Sequence, residues 1–290
     1  MYELKGVCVP ISTPFKDNGT AVDETALKDH IDFLIESGIH IICLNGGTSE
    51  FPFLSAKEKR RIVEFASTHI DGRCRIITHV SCVRTEDTIE EGLHALNHGS
   101  DAIMVLPPFF EGPDVEGVMW HYDKISNAVG LPIVAYNIPA CSDFDITPDI
   151  FERLMQIEHV SYIKESTSIM LRIEDLVPTG ASVFCGCDFL MFYALMAGAV
   201  GCFWGGANAY PKEAVKLYNL FIAGNISEAL ALWQTMQPLN RLFWTIPFNP
   251  AVKEVMNLAG RSISECRLPV QPLSAEQKSL AKSRYNKLFS

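Results

Sequence analysis

Val160-Ser-Tyr-Ile-Lys-Glu-Ser-Thr167 is a short β-rich run that stops at a charged residue, and its pattern decides the fold because it recurs. Runs of the same kind stand at residues 7–11, 41–45, 75–80, 102–106, 133–137, 160–164, 182–186 and 200–203, which makes eight strand candidates. Between them lie helix-like segments such as 23–37, 55–69, 85–98, 115–128 and 188–197, several opened by Asp, Ser or Thr caps. Strict alternation of strand and helix implies a parallel sheet. Eight such units within about 220 residues fit a closed barrel better than an open doubly wound sheet, which would lead with a glycine-rich dinucleotide loop. No such loop is present. After Pro211 the pattern is helical alone, at 214–222, 226–244, 251–259 and 275–289. The expected organisation is therefore an α/β chain: a (β/α)8 TIM barrel over residues 1–224 and a C-terminal helical extension over 225–290.

Lys164 is a lone amine where a buried strand should end. An amine held in apolar surroundings loses hydration and favours the neutral form that attacks a ketone to make a Schiff base. The plain alternative is a solvated strand-end lysine, or half of an ion pair with Glu165. The surroundings have to decide.

Composition narrows the field. The 290 residues are 48% hydrophobic and 20% charged, which describes a chain able to bury a large core. With 34 acidic against 24 basic residues the formal net charge is -10, which disfavours nucleic acid and anionic membrane surfaces as partners. Nine cysteines, mostly inside apolar runs, show no paired framework, and Cys185-Gly-Cys187 has neither zinc-finger nor redox spacing. The start has no charged-then-apolar signal pattern, and no run approaches the ~18 apolar residues of a membrane span. A cytoplasmic protein with reduced cysteines is expected.

In a barrel, catalytic groups lie where strands end. Four strand ends then face one mouth: residues 45–50, Tyr136-Asn-Ile-Pro139, Lys164, and Gly186-Cys-Asp188. The small-residue turn Gly46-Gly-Thr-Ser49 offers amides and hydroxyls that could cradle a carboxylate, though a plain tight turn reads the same. Tyr136 could relay protons to Lys164 on the neighbouring strand. Ser166 lies two residues beyond Lys164, on the same side by alternation. In Trp204-Gly-Gly206 a bulky ring is followed by open backbone at Gly205, which could shape the pocket floor.

These residues together resemble the dihydrodipicolinate synthase and N-acetylneuraminate lyase family over nearly the whole chain. The matching pieces are Gly6-Val-Cys-Val-Pro-Ile-Ser-Thr-Pro-Phe15, residues 46–54, Leu106-Pro-Pro108, Tyr136-Asn-Ile-Pro139, Ile163-Lys-Glu165 and Asn249-Pro250 with Val252-Lys253. The resemblance implies a Schiff-base enzyme for pyruvate or another 2-keto acid, with Lys164 as nucleophile and Tyr136 as proton-transfer group. Gly47, Thr48 and Ser49 then form the carboxylate pocket, and Ser166, Gly186, Asp188 and Gly205 complete the substrate-binding set. A homotetramer (a dimer of dimers) without metal or organic cofactor is also implied.

Departures from the family pattern bear on substrate. Gly47 stands where the synthase branch has a relay threonine. Phe110 stands where that branch has a tyrosine lent by a neighbouring subunit, and a phenyl ring carries no proton. Cys141 stands where an arginine would meet a substrate carboxylate, and a thiol cannot replace that bidentate charge. Asp188 and Tyr136-Asn-Ile-Pro-Ala140 match the lyase branch better, but Gly47 replaces its serine and Phe189 its second acid. The expected activity is cleavage or formation of a 2-keto-3-deoxy acid, to or from pyruvate and an aldehyde. The alternatives are a dehydratase or deaminase of a keto-deoxy sugar acid on the same imine, then 4-hydroxy-tetrahydrodipicolinate synthase, then a non-catalytic barrel that binds a small acid.

Overall fold

The computed structural model describes residues 3–16 and 19–289; residues 1 and 2, which open the expected barrel segment, lie outside them with 17, 18 and 290. Eight parallel strands close into a barrel: β1 (Gly6–Pro10), β2 (Ile41–Leu44), β3 (Arg75–His79), β4 (Ala102–Val105), β5 (Ile133–Asn137), β6 (Val160–Glu165), β7 (Ser182–Cys185) and β8 (Gly201–Phe203). The strands are buried almost throughout, so they read as apolar runs rather than as alternating ones. The expected α/β barrel is the observed one.

The surrounding helices are α1 (Glu24–Glu36), α2 (Ala56–Ile70), α3 (Thr85–Asn97), α4 (Val115–Val129), α5 (Pro148–Leu154), α6 (Met170–Leu176), α7 (Met191–Met196) and α8 (Pro211–Ile222). Then follow α9 (Ile226–Leu242), α10 (Phe248–Leu258) and α11 (Ala275–Phe289). Local chemistry starts several of them. Asp23 accepts from the Thr25 and Ala26 amides, Ser55 and Glu58 form a capping box, and Asp114 accepts from the Gly117 amide. Each cap contributes about 1 kcal/mol.

Some boundaries differ from the sequence pattern. The stretch 188–197 splits into a 3-10 turn, Asp188–Leu190, and the short α7. Helix α8 starts at Pro211, because proline suits the first helical position. Helix α10 starts at Phe248 and takes in Asn249 and Pro250, three residues before the apolar pattern begins; an amide-less proline costs nothing in a first turn whose amides have no partners anyway. A two-stranded ribbon, Phe15–Lys16 with Ala21–Val22, is too short for any periodic signal.

Two compact units divide the chain: Met1–Gly6 with Arg75–Phe203, and Val7–Cys74 with Trp204–Ser290. In the first, β5 and β6 pair in register at Tyr136 and Lys164, with an irregularity lower down that lets Ser161 bulge out. A bulge of this kind re-aims the side chains beyond it. On the neighbouring strand, in register with Lys164, Phe184 meets Phe203 edge-on and Tyr162 at a tilt, and it closes over Gly201, where a Cβ would meet its ring at 2.7 Å. In the second unit, Asn208 joins the end of β1 to α1: it donates to Pro10 O and Gly205 O and accepts from the Ser12 amide, while His30 bonds its side-chain oxygen at 2.9 Å.

Burial makes two histidines acid-sensitive. His30 in the second unit and His121, bonded to Thr85 in the first, are both held down from 6.5 to about 4, chiefly by desolvation. The unfolded chain binds a proton at each site between those values and the folded chain does not. Stability is therefore complete above pH 6.5 and drains as pH falls toward 4, by about 2 to 3 kcal/mol for each histidine. The Glu58 carboxyl, held at about 2 mainly by its bond to Arg267, contributes to loss at lower pH than this. Urea midpoints measured from pH 7.5 to 4.5 should fall steadily, and a flat profile would contradict the histidine account.

Candidate active site

Strand β6 carries Lys164 inward and Glu165 to the opposite side, as alternation requires. Glu165 is buried behind the strand, where it accepts from Asn137 Nδ2 at 2.8 Å and from the Thr167 amide at 2.6 Å. Burial raises its pKa, and those two bonds oppose the rise. Asn137 also donates to Asp145, which meets Arg172 through two hydrogen bonds of 2.6 and 2.8 Å. This network ties β5 to β6 from behind and so fixes Tyr136 and Lys164 in front. Glu165 is not the lysine's partner.

Lys164 is 5% exposed, and among the described residues no carboxylate pairs with it. Its Nζ lies 3.8 Å from the centre of the Tyr136 ring and 4.9 Å from that of Phe203. The Tyr136 ring in turn meets His79 edge-on at 6.2 Å. Gly186 makes room for the lysine: a Cβ there would stand 2.0 Å from Ser166 Oγ and 3.1 Å from Lys164 Cε. Ser166 Oγ is buried beside that stem without a hydrogen-bond partner. Asp188 is buried at the start of the 3-10 turn. The first unit thus brings together Tyr136, Lys164, Ser166 and Gly186.

The nearby thiols do not compete as nucleophiles. Burial pushes Cys187 up to about 11 and raises Cys185 and Cys202 further, so all three stay protonated and inert. Among the described residues, no cluster of metal-ligand atoms forms around Lys164.

In the second unit the turn after β2 holds Gly47, Thr48 and Ser49. Ser49 builds the turn itself: its hydroxyl donates to Ile11 O at 2.6 Å and accepts from the Gly46 amide, and its own amide donates to Gly46 O. Thr48 is buried, and a Cβ on Gly47 would meet nothing within 4 Å. Gly205 is forced by close approach, since a Cβ would lie 2.7 Å from the Phe248 ring and 3.2 Å from Thr48 Oγ1. Phe110 is 83% exposed with φ +73°, and Cys141 is exposed.

His79, Phe203 and Phe248 escaped the sequence reading. His79 ends a barrel strand, which is signal enough to make it a candidate. Asn249 entered the sequence reading only as part of the family resemblance, with no role, because the expected helix started at 251 rather than at Phe248.

A barrel whose sixth strand ends in a buried amine between aromatic faces, with no carboxylate paired to it among the described residues, suits class I, Schiff-base-forming chemistry. Comparison with known proteins is consistent with that chemistry: the pattern of the dihydrodipicolinate synthetase family matches residues 3–287, and the chain belongs to that family of Schiff-base lyases and aldolases. It is 35% identical to a 4-hydroxy-tetrahydrodipicolinate synthase of Syntrophobacter fumaroxidans, over 93% of this chain and 94% of the relative. A crystal structure of a dihydrodipicolinate synthase superposes with a TM-score of 0.94 at 30% identity, covering 99% of each chain. YagE, a prophage protein of the same family from E. coli K12 solved in complex with pyruvate, gives 0.94 at 26% identity, covering 98% of each.

Proposed function

We propose that this chain is a lyase or aldolase that interconverts a 2-keto-3-deoxy acid with pyruvate and an aldehyde through an imine on Lys164. The observation that carries the reading is the buried Lys164 amine, paired with no carboxylate among the described residues and set against the Tyr136 ring. The lysine attacks the C2 ketone, and the carbinolamine loses water to a protonated imine. Tyr136 takes the proton of the C4 hydroxyl and the C3–C4 bond breaks. Its electrons enter the imine to give an enamine, and the aldehyde leaves. Protonation at C3 and attack by water release pyruvate and restore the amine. Gly47 and Thr48 receive the carboxylate, with Ser49 building their turn. Ser166, Gly186, Asp188 and Gly205 bound the rest of the substrate, and residues 1–224 form the catalytic barrel that the 225–290 extension supports.

A second reading, 4-hydroxy-tetrahydrodipicolinate synthase, is favoured by the names of the relatives. The exposed Cys141 and Phe110 weigh against it, since neither supplies the arginine charge nor the tyrosine proton of that branch. A dehydratase or deaminase would use the same imine after proton removal at C3. Incubation with a set of 2-keto-3-deoxy acids separates the three. Released pyruvate supports the lyase, an unsaturated or oxidised product supports the dehydratase or deaminase, and, in a parallel incubation, condensation of pyruvate with a carboxylate-bearing aldehyde supports the synthase.

The same reading includes a homotetramer. Its support is a set of exposed apolar side chains on the first unit, Phe110, Ile169, Leu171, Tyr193 and Met196. Light scattering that returns the mass of one chain would remove it. Nine free cysteines support a reducing, cytoplasmic setting, which cell fractionation tests. Among the described residues, no helix is long and apolar enough to cross a membrane.

A further inference from the structure

Helix α10 holds the turn after β2 at two points, Gly47 and Glu50. Asn249 donates from Nδ2 to Gly47 O at 3.0 Å, and the Glu50 amide donates to the same carbonyl at 3.1 Å. Four residues along the same helix face, Lys253 Nζ lies 2.6 Å from Glu50 Oε1, both side chains being buried. Taking two charges out of water is costly, and such a pair is weak evidence for stability by itself. Further bonds brace this one: Lys253 also donates to Thr13 O and Glu265 O, and the second Glu50 oxygen accepts from the Arg267 amide, while Glu50 Oε1 meets the ammonium as an ion pair without a hydrogen bond.

The turn needs holding. Asn45 and Glu50, at its two ends, have φ of 55° and 62°, in the left-handed region that side chains disfavour. The peptide between Gly47 and Thr48 is planar and trans, so anchoring its carbonyl on Asn249 directs the Thr48 N–H to the opposite side, away from α10. Among the described residues no acceptor engages that N–H, and no partner engages the Thr48 hydroxyl.

We infer that Asn249 and the Glu50–Lys253 pair are positioning residues that aim the Thr48 amide and hydroxyl at the carboxylate of the 2-keto acid. The inference rests on the Schiff-base function proposed above. These side chains touch the turn and not the substrate, so they act on how well a carboxylate is held and leave attack on the ketone alone. Asn249 keeps the peptide plane oriented, and the ion pair fixes the far end of the turn, so that neither anchor can slacken without tilting the amide.

Borohydride trapping of two ketones by the full chain tests this. Pyruvate has the carboxylate and acetone lacks it. In Asn249→Ala the pyruvate concentration giving half-maximal trapping should rise about tenfold, the loss of one well-directed bond to a charged group. The rate at saturating pyruvate and the rate with acetone should stay within about twofold. Equal losses for both ketones, or an unchanged half-saturation for pyruvate, would overturn the inference, because a merely structural role moves both ketones together. Should Asn249→Ala fail to fold, Glu50→Gln with Lys253→Met removes both charges at nearly constant volume and is read in the same way from the other anchor. Wild-type protein that traps neither ketone on Lys164 overturns the Schiff-base reading first and this inference with it.

Discussion

Replacing Lys164 with alanine is expected to remove trapping by pyruvate and borohydride altogether and to lower turnover of the true keto acid by roughly 10⁴-fold or more. The chain offers an internal control, because it buries two lysines. Lys253 is enclosed by polar partners, donating to Thr13 O and Glu265 O and pairing with Glu50, and so is held away from an incoming ketone. Lys164 meets ring faces, with no carboxylate partner among the described residues. Mass spectrometry of the reduced adduct should therefore locate it on the peptide containing Lys164 and leave the Lys253 peptide unmodified. Lys164→Arg should be equally inactive, since guanidinium stays protonated and its planar fork does not fit the gap beside Gly186. An adduct that persists in Lys164→Ala would place the nucleophile elsewhere and end the proposed mechanism.

The fold was legible because eight buried runs, each only a few residues long, recur between capped amphipathic segments; a closed barrel is one of few ways to bury both faces of such a sheet. Helices α5 and α6 carry no comparable signal, being seven residues each, less than two full turns of pattern. Lys164 and Tyr136 were legible as strand ends. The sequence left a Lys164–Glu165 pair open; the fold turns Glu165 to the network with Asn137 and Thr167 instead. What sequence could not carry were the close approaches. The need for glycine at 186 and 205 arises from Ser166, Lys164 and Phe248, residues 20 or more positions away in the chain. The role of Asn249 depended on whether α10 begins at 248 or 251, and that is decided by three residues that contribute nothing to the apolar stripe.

Tyr136→Phe separates imine formation from proton transfer. The phenyl ring keeps the face that Lys164 rests on, 3.8 Å from its centre, and the edge-on contact with His79, so packing and the lysine's position should hold. It loses the hydroxyl alone. Pyruvate trapping on Lys164 should then survive at saturating pyruvate, while turnover of a 2-keto-3-deoxy acid falls roughly 10² to 10³-fold, the usual contribution of a positioned general acid–base. The two readings of the site differ here. If turnover is lost while trapping remains, the C4 proton passes through Tyr136 and the C3–C4 cleavage depends on it. If Tyr136→Phe turns over at the wild-type rate, the proton must use another group, and Ser166 is the candidate, because its buried Oγ has no partner and stands beside the Lys164 stem. Ser166→Ala decides between them: with Tyr136 as the relay it should leave the chemical step largely intact, and with Ser166 as the relay it should reproduce the loss that Tyr136→Phe failed to give.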